Sequence, residues 1–175
     1  IYNQSGDENS VLYSLFEINI EKGGVYVLSG SVNYKSFSVN INTEENTKLI
    51  FDNFEVISDV GPLINSNAAV LEIFLNSDTQ NIIKLNNPDN SQNENVLNLK
   101  GNLIINGSGY LEINSNQKHA VDAEEILILN GNLKIISFKN GIDGEKLKIC
   151  GGNTIIDASN NAIKIKNTAE ILGGQ

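Results

Sequence analysis

The sequence predicts an all-β chain wound as a single-stranded parallel β-helix of about six to seven coils, and three observations carry that prediction. A register of about 21–24 residues recurs through the second half and places Ile64, Leu97, Val121, Ile142 and Ile163 in one apolar column. Inside the repeat the character alternates. The next position is polar in every copy (Asn65, Asn98, Asp122, Asp143, Lys164), and one position further on it is again apolar or small (Leu99, Ala123, Gly144, Ile165). After that comes a charged column, Lys100, Glu124, Glu145 and Lys166. Period two is the pattern of a strand with one buried face, and a strand repeated once per coil stacks in parallel on its own copies. Finally, no segment carries the periodicity of an amphipathic helix.

In chain order, residues 1–19 have only a weak pattern and are expected to form an N-terminal cap or lead-in strand. Residues 20–175 form the β-helix domain. Residues 25–28 (VYVL) are a strand between glycine turns, with Tyr26 outward against Val25 and Val27, and residues 37–41 follow. Residues 48–51 and 54–57 flank an Asp52-Asn53 corner, and residues 70–75 are the matching strand one coil later. The stretch 86–95 (NNPDNSQNEN) has no apolar periodicity and reads as a loop thrown out from one corner. Beyond it come strands at 103–106, 110–113, 126–129, 133–136, 147–150 and 154–156. Their corners are Gly107-Ser108-Gly109, Asn130-Gly131-Asn132 and Gly151-Gly152-Asn153, in which Gly and Asn tolerate the left-handed backbone. Three short strands per coil, with a rise of about 4.8 Å, follow from this spacing. The first residue is Ile1, and residues 171–175 restart the strand-and-glycine pattern, so the expectation is a mature or trimmed fragment of a longer protein.

Composition narrows the function. All twelve basic residues are Lys and the net charge is −9, so nothing is available to replace counterions on a nucleic acid. The same charge disfavours polyuronates unless a cation bridges the two anions. No stretch approaches the roughly 18–20 apolar residues of a membrane span. The single cysteine, Cys150, has no internal disulfide partner and is expected to be a buried apolar side chain at the end of its strand.

The order of the corners resembles a known family. Val25-Tyr26-Val27-Leu28-Ser29-Gly30-Ser31-Val32, Asp59-Val60-Gly61-Pro62-Leu63-Ile64 and Leu103-Ile104-Ile105-Asn106-Gly107-Ser108-Gly109-Tyr110-Leu111 occur in its order and spacing. Lys118-His119-Ala120-Val121 and Asn140-Gly141-Ile142-Asp143-Gly144 follow in step. From about Ile18 onward the chain resembles the secreted bacterial carbohydrate-binding β-helix family, related in fold to pectate lyases and associated with cellulose or polygalacturonate. The resemblance implies a right-handed, pectate-lyase-like helix, a plant-type polysaccharide partner, a secreted or cell-surface location, and calcium on acidic corners. The chain departs from the family at Asn140 and Asn161, which stand where the family has Asp. It departs again at Ala162 in place of Gly, and at Lys164-Ile165-Lys166 in place of a potential acidic run.

Four carboxylates are candidates for a calcium site. Asp122 and Asp143 are neighbours across one coil, as are Glu124 and Glu145, and residues two apart share a face; calcium takes six to eight hard oxygens. The alternative is a self-neutralising ladder of Lys100, Glu124, Glu145 and Lys166 on a solvated face. His119 lies in a corner column with Pro62, Asn95, Asn140 and Asn161, where a polar residue hydrogen-bonds along the stack. Tyr110, His119, Asn140, Lys164 and Lys166 are the candidate sugar-binding residues. Trp is absent, so hydrogen bonding from Asn, Lys and acids is expected to outweigh ring stacking.

Catalysis has little to work with. Lyase chemistry on uronates needs an unprotonated base, and Lys164 or Lys166 beside the acids would be held protonated. The reading is a non-catalytic polysaccharide-binding module. The alternatives are a structural or adhesive stalk that binds no sugar, and a degenerate calcium-dependent polysaccharide lyase.

Overall fold

The computed structural model describes residues 17–86 and 94–175 together with the backbone of Tyr2–Asn3 and Val11–Tyr13. The strands run β1 (Tyr2–Asn3), β2 (Val11–Tyr13), β3 (Glu17–Ile20), β4 (Gly24–Asn33), β5 (Ser38–Ile41), β6 (Thr47–Ser58), β7 (Ile64–Ser66), β8 (Val70–Leu75) and β9 (Gln80–Leu85). They continue as β10 (Leu97–Leu99), β11 (Asn102–Gly107), β12 (Tyr110–Ser115), β13 (Val121–Ile128), β14 (Asn132–Ser137), β15 (Ile142–Ile149), β16 (Asn153–Ala158) and β17 (Ile163–Ile171).

Among β3 to β17 every pairing is parallel, and each strand pairs with its copy one coil away, which makes the parallel β-helix the sequence predicts. Three sheets wrap a common interior over about six turns. The first sheet stacks β3, β5, β7, β10 and the opening residues of β13, β15 and β17. The second stacks the first halves of β4 and β6, then β8, β11 and the later halves of β13, β15 and β17. The third stacks the second halves of β4 and β6, then β9, β12, β14 and β16. At the first coil, β1 and β2 pair antiparallel with β4 and β3. Most of the expected N-terminal cap, and residues 87–93 of the expected corner loop, lie outside the described residues.

The interior is the set of apolar columns. Ile64, Leu97, Val121 and Ile142 are at most 1% exposed and in register, and Ile163 packs half-buried on the last coil. Burying each such side chain contributes about 1.5–3 kcal/mol. Polar groups enter only when satisfied. Asn81 is fully buried, and its Oδ1 accepts the N–H of Phe54 at 2.9 Å. Its Nδ2 donates to the Tyr110 carbonyl at 2.9 Å and to Thr79 Oγ1 at 3.1 Å, so one side chain ties successive coils at a corner. At Gly107 (φ 98°) the chain needs glycine twice over, because a Cβ there would also strike the backbone of Leu75.

Two expectations are corrected. Tyr26 faces the interior, fully buried with its O–H donating to the Lys22 carbonyl at 2.8 Å, while Val25 and Val27 face outward. Alternation fixes that neighbours differ in face but not which of them is inside, and here the aromatic ring fills the core. Cys150 follows the end of β15 and is half-exposed rather than buried, because alternation gives the interior positions to Leu147 and Ile149.

Candidate functional site

Each strand of the first sheet places one polar position between two others, as in the buried, half-buried, buried pattern of β7 and β10, except that Asp143 of β15 is itself buried. The polar positions are in exact register from end to end: Asn19, Asn40, Asn65, Asn98, Asp122, Asp143 and Lys164. The result is a one-residue-wide strip of amides, then carboxylates, then an ammonium, spaced by the rise of about 4.8 Å per coil. The amides bond along the strip. Asn40 Nδ2 donates to Asn19 Oδ1 at 3.1 Å, and Asn98 Nδ2 donates to Asn65 Oδ1 at 3.0 Å.

A second ladder runs beside it at the corner leading into this sheet. The N–H of His119 donates to Asn95 Oδ1 at 3.3 Å, and the N–H of Asn140 donates to His119 Nδ1 at 3.1 Å. Asn160 and Asn161 both donate to Asn140 Oδ1, at 2.9 and 3.1 Å. The two ladders are cross-linked: Asn95 Nδ2 donates to Asp122 Oδ2 at 2.8 Å, and Asn140 Nδ2 to Asp143 Oδ2 at 2.6 Å. Asp143 Oδ2 also faces Lys164 Nζ at 3.5 Å and His119 Nε2 at 3.7 Å. Because His119 Nδ1 is an acceptor here, the ring proton sits on Nε2. Burial lowers the His119 pKa, against the pull of Asp143 and Asp122 and with help from Lys118 and Lys139. The imidazole is therefore neutral at pH 7.

The structure thus brings His119, Asn140, Asp122, Asp143 and Lys164 together, and it separates the other candidates from them. Glu145 lies at the exit corner of the first sheet, where Lys166 Nζ reaches it at 2.6 Å and Asn167 Nδ2 at 3.1 Å. That hydrogen bond and the Glu145 charge raise the Lys166 pKa and hold it protonated. Glu124 is exposed and shares a shallow cleft with Lys100, Glu44 and Asn67, but among the described residues no ion pair joins Glu124 to Lys100. Of the charged ladder only Glu145–Lys166 closes. Tyr110 stands on the third sheet, its O–H donating to Glu112 Oε2 at 3.0 Å, away from the first-sheet strip.

Calcium fits this arrangement poorly. Asp122 Oδ2 receives an amide hydrogen, and Asp143 Oδ2 receives an amide hydrogen and pairs with an ammonium, whereas calcium needs a shell of lone pairs. Among the described residues no three His, Cys, Asp or Glu side chains converge as a metal site requires. Sequence reasoning had named the carboxylate end of the strip and overlooked its amide end. Asn65 and Asn98 stood in the polar column and were not singled out. Asn19 and Asn40 precede the part of the chain where the repeat is legible.

The fold and the site together define a parallel β-helix that carries one strip of polar side chains in register along its axis. A family model described as carbohydrate-binding domain-containing protein matches residues 16–174, and the chain belongs to that family. In fold it is similar to a solved structure described as the polysaccharide lyase-like protein from C. thermocellum, gadolinium derivative. That likeness has 17% identity and a TM-score of 0.51, over 97% of this chain and 94% of that chain. No curated protein matches the chain.

Proposed function

We propose that the protein is a non-catalytic polysaccharide-binding module of a secreted or cell-surface bacterial protein, and that a glycan chain lies lengthwise on the first sheet. The observation that carries this reading is the unbroken strip from Asn19 to Lys164. Amides donate and accept, so the half-buried amide rungs can meet sugar hydroxyls, and the scaffold spends little entropy in holding them. The family membership supports a carbohydrate ligand, and the lyase-like name of the structural relative supports a polymeric one.

Cleavage is the weaker reading, on the state of the groups present. The imidazole of His119 spends its lone pair on the N–H of Asn140, and Lys166 is held protonated by Glu145. Neither is a base ready to abstract a proton.

Affinity electrophoresis in gels containing xylan, soluble glucans or pectate tests the proposal. Retardation by at least one glycan is expected, weakened in Asn65→Ala/Asn98→Ala. Binding should strengthen with glycan length as more rungs engage. No retardation by any glycan would leave a structural stalk as the reading, and unsaturated uronate products would establish a lyase.

A further inference from the structure

We propose that the third sheet carries a second glycan-binding face centred on Tyr110, so that one molecule bridges two polysaccharide chains; this rests on reading the first sheet as a glycan track. Tyr110 is half-exposed on β12, and its O–H reaches Glu112 two residues along the same strand, so the ring leans along the sheet rather than standing off it. Lys134 Nζ, one coil on, binds the same Glu112 oxygen at 3.1 Å and holds that carboxylate in place. The backbone beneath the ring is fixed too. The Tyr110 N–H donates to the Thr79 carbonyl at 2.9 Å, and its own carbonyl accepts from buried Asn81.

Along the axis, the ring is bracketed by exposed amides in register: Gln80 one coil before, and one coil after Asn132, whose Nδ2 donates to the Ser108 carbonyl at 3.1 Å. An aromatic platform with hydrogen-bonding groups on either side suits a pyranose, whose apolar face covers the ring while its hydroxyls meet the amides and Glu112. The first-sheet strip has no ring in it, so the two faces recognise sugar by different means. The net charge of −9 favours a neutral glycan over a polyuronate. The chain turns a corner between β12 and β13, which directs the two outer faces apart, and a stiff chain lying on one does not reach the other.

The test loads the protein onto beads coated with a neutral glycan that retards it, then offers the same glycan in solution with a fluorescent label. Wild type is expected to load and to capture labelled chain. Tyr110→Ala should load but capture at least tenfold less, while Tyr110→Phe, which keeps the ring, should retain most of the capture. Gln80→Ala/Asn132→Ala gives an independent reading of the same face should Tyr110→Ala fold poorly by circular dichroism. Loading without capture by wild type overturns bridging and leaves the first-sheet track intact. Capture by Tyr110→Ala equal to wild type overturns the Tyr110 face. Absence of both loading and capture overturns this proposal together with the reading on which it rests.

Discussion

The backbone N–H of Asn140 donates to Nδ1 of His119 at 3.1 Å, one coil away, so the only histidine is locked as a neutral acceptor within a corner ladder. Protonating Nδ1 breaks that bond, which agrees with the lowered His119 pKa that burial produces. The folded pKa lies below the unfolded value of about 6.5, so the unfolded chain takes up the proton first and stability rises with pH across that interval. The stabilisation is fully present above the unfolded pKa and is lost as pH falls below it towards the folded pKa. His119→Asn keeps an acceptor of the kind Asn95 supplies one coil earlier, and it should flatten this part of the stability profile. Urea melts at a series of pH values measure it, and an unchanged slope in the variant would remove His119 from the account.

Val121 sits fully buried between Leu97 and Ile142 in the first-sheet column. Val121→Asp places a carboxylate where no partner is available, and loss of soluble folded protein is expected. Val121→Ala removes only two methyl groups and should cost about 1–3 kcal/mol in a denaturant melt. A well-folded Val121→Asp protein would contradict the interior placement of this column.

Gly107→Ala should destabilise by at least about 1–3 kcal/mol, since it combines a disfavoured backbone region with a collision against Leu75. Gly30 also has positive φ (91°) but has open space around its Cβ direction, so Gly30→Ala carries only the conformational cost. Thermal melts of the two variants should therefore rank Gly107→Ala lower, and the reverse order would contradict the packing described at that corner.

Millimolar calcium should leave the melting temperature where it stands in chelator, because Oδ2 of Asp122 already accepts from Asn95 and Oδ2 of Asp143 accepts from Asn140 and pairs with Lys164. A real site filled a hundredfold above its dissociation constant would add about 2.7 kcal/mol and be plain in the curves.

The fold was legible where the repeat is regular. Val121, Ile142 and Ile163 recur every 21 residues, with Leu97 one slightly longer coil before them, and an interior column requires nothing more than apolar character at that repeat. Tyr26 was misplaced because a one-residue shift of an alternating pattern is equally self-consistent, and only packing chooses between the two. The carboxylates were grouped from spacing alone. Spacing could not reveal that Asn140 and Lys164 would take Asp143 while Lys166 and Asn167 took Glu145. Those choices depend on the corners, where the coils differ in length. Even β15 and β17 slip register between Gly144 and Lys146.

The column that begins with Asn19 and ends with Lys164 has a head and a tail. Its amide rungs offer much the same chemistry to a ligand read in either sense, but the two acids and the lysine mark one end alone. A glycan also has two unlike ends, reducing and non-reducing, so it meets this protein in two inequivalent orientations that bind with different free energies. Charge placed at one terminus of an oligosaccharide, amine at one end or carboxylate at the other, would therefore polarise the complex and give the bound chain a compass bearing along the helix.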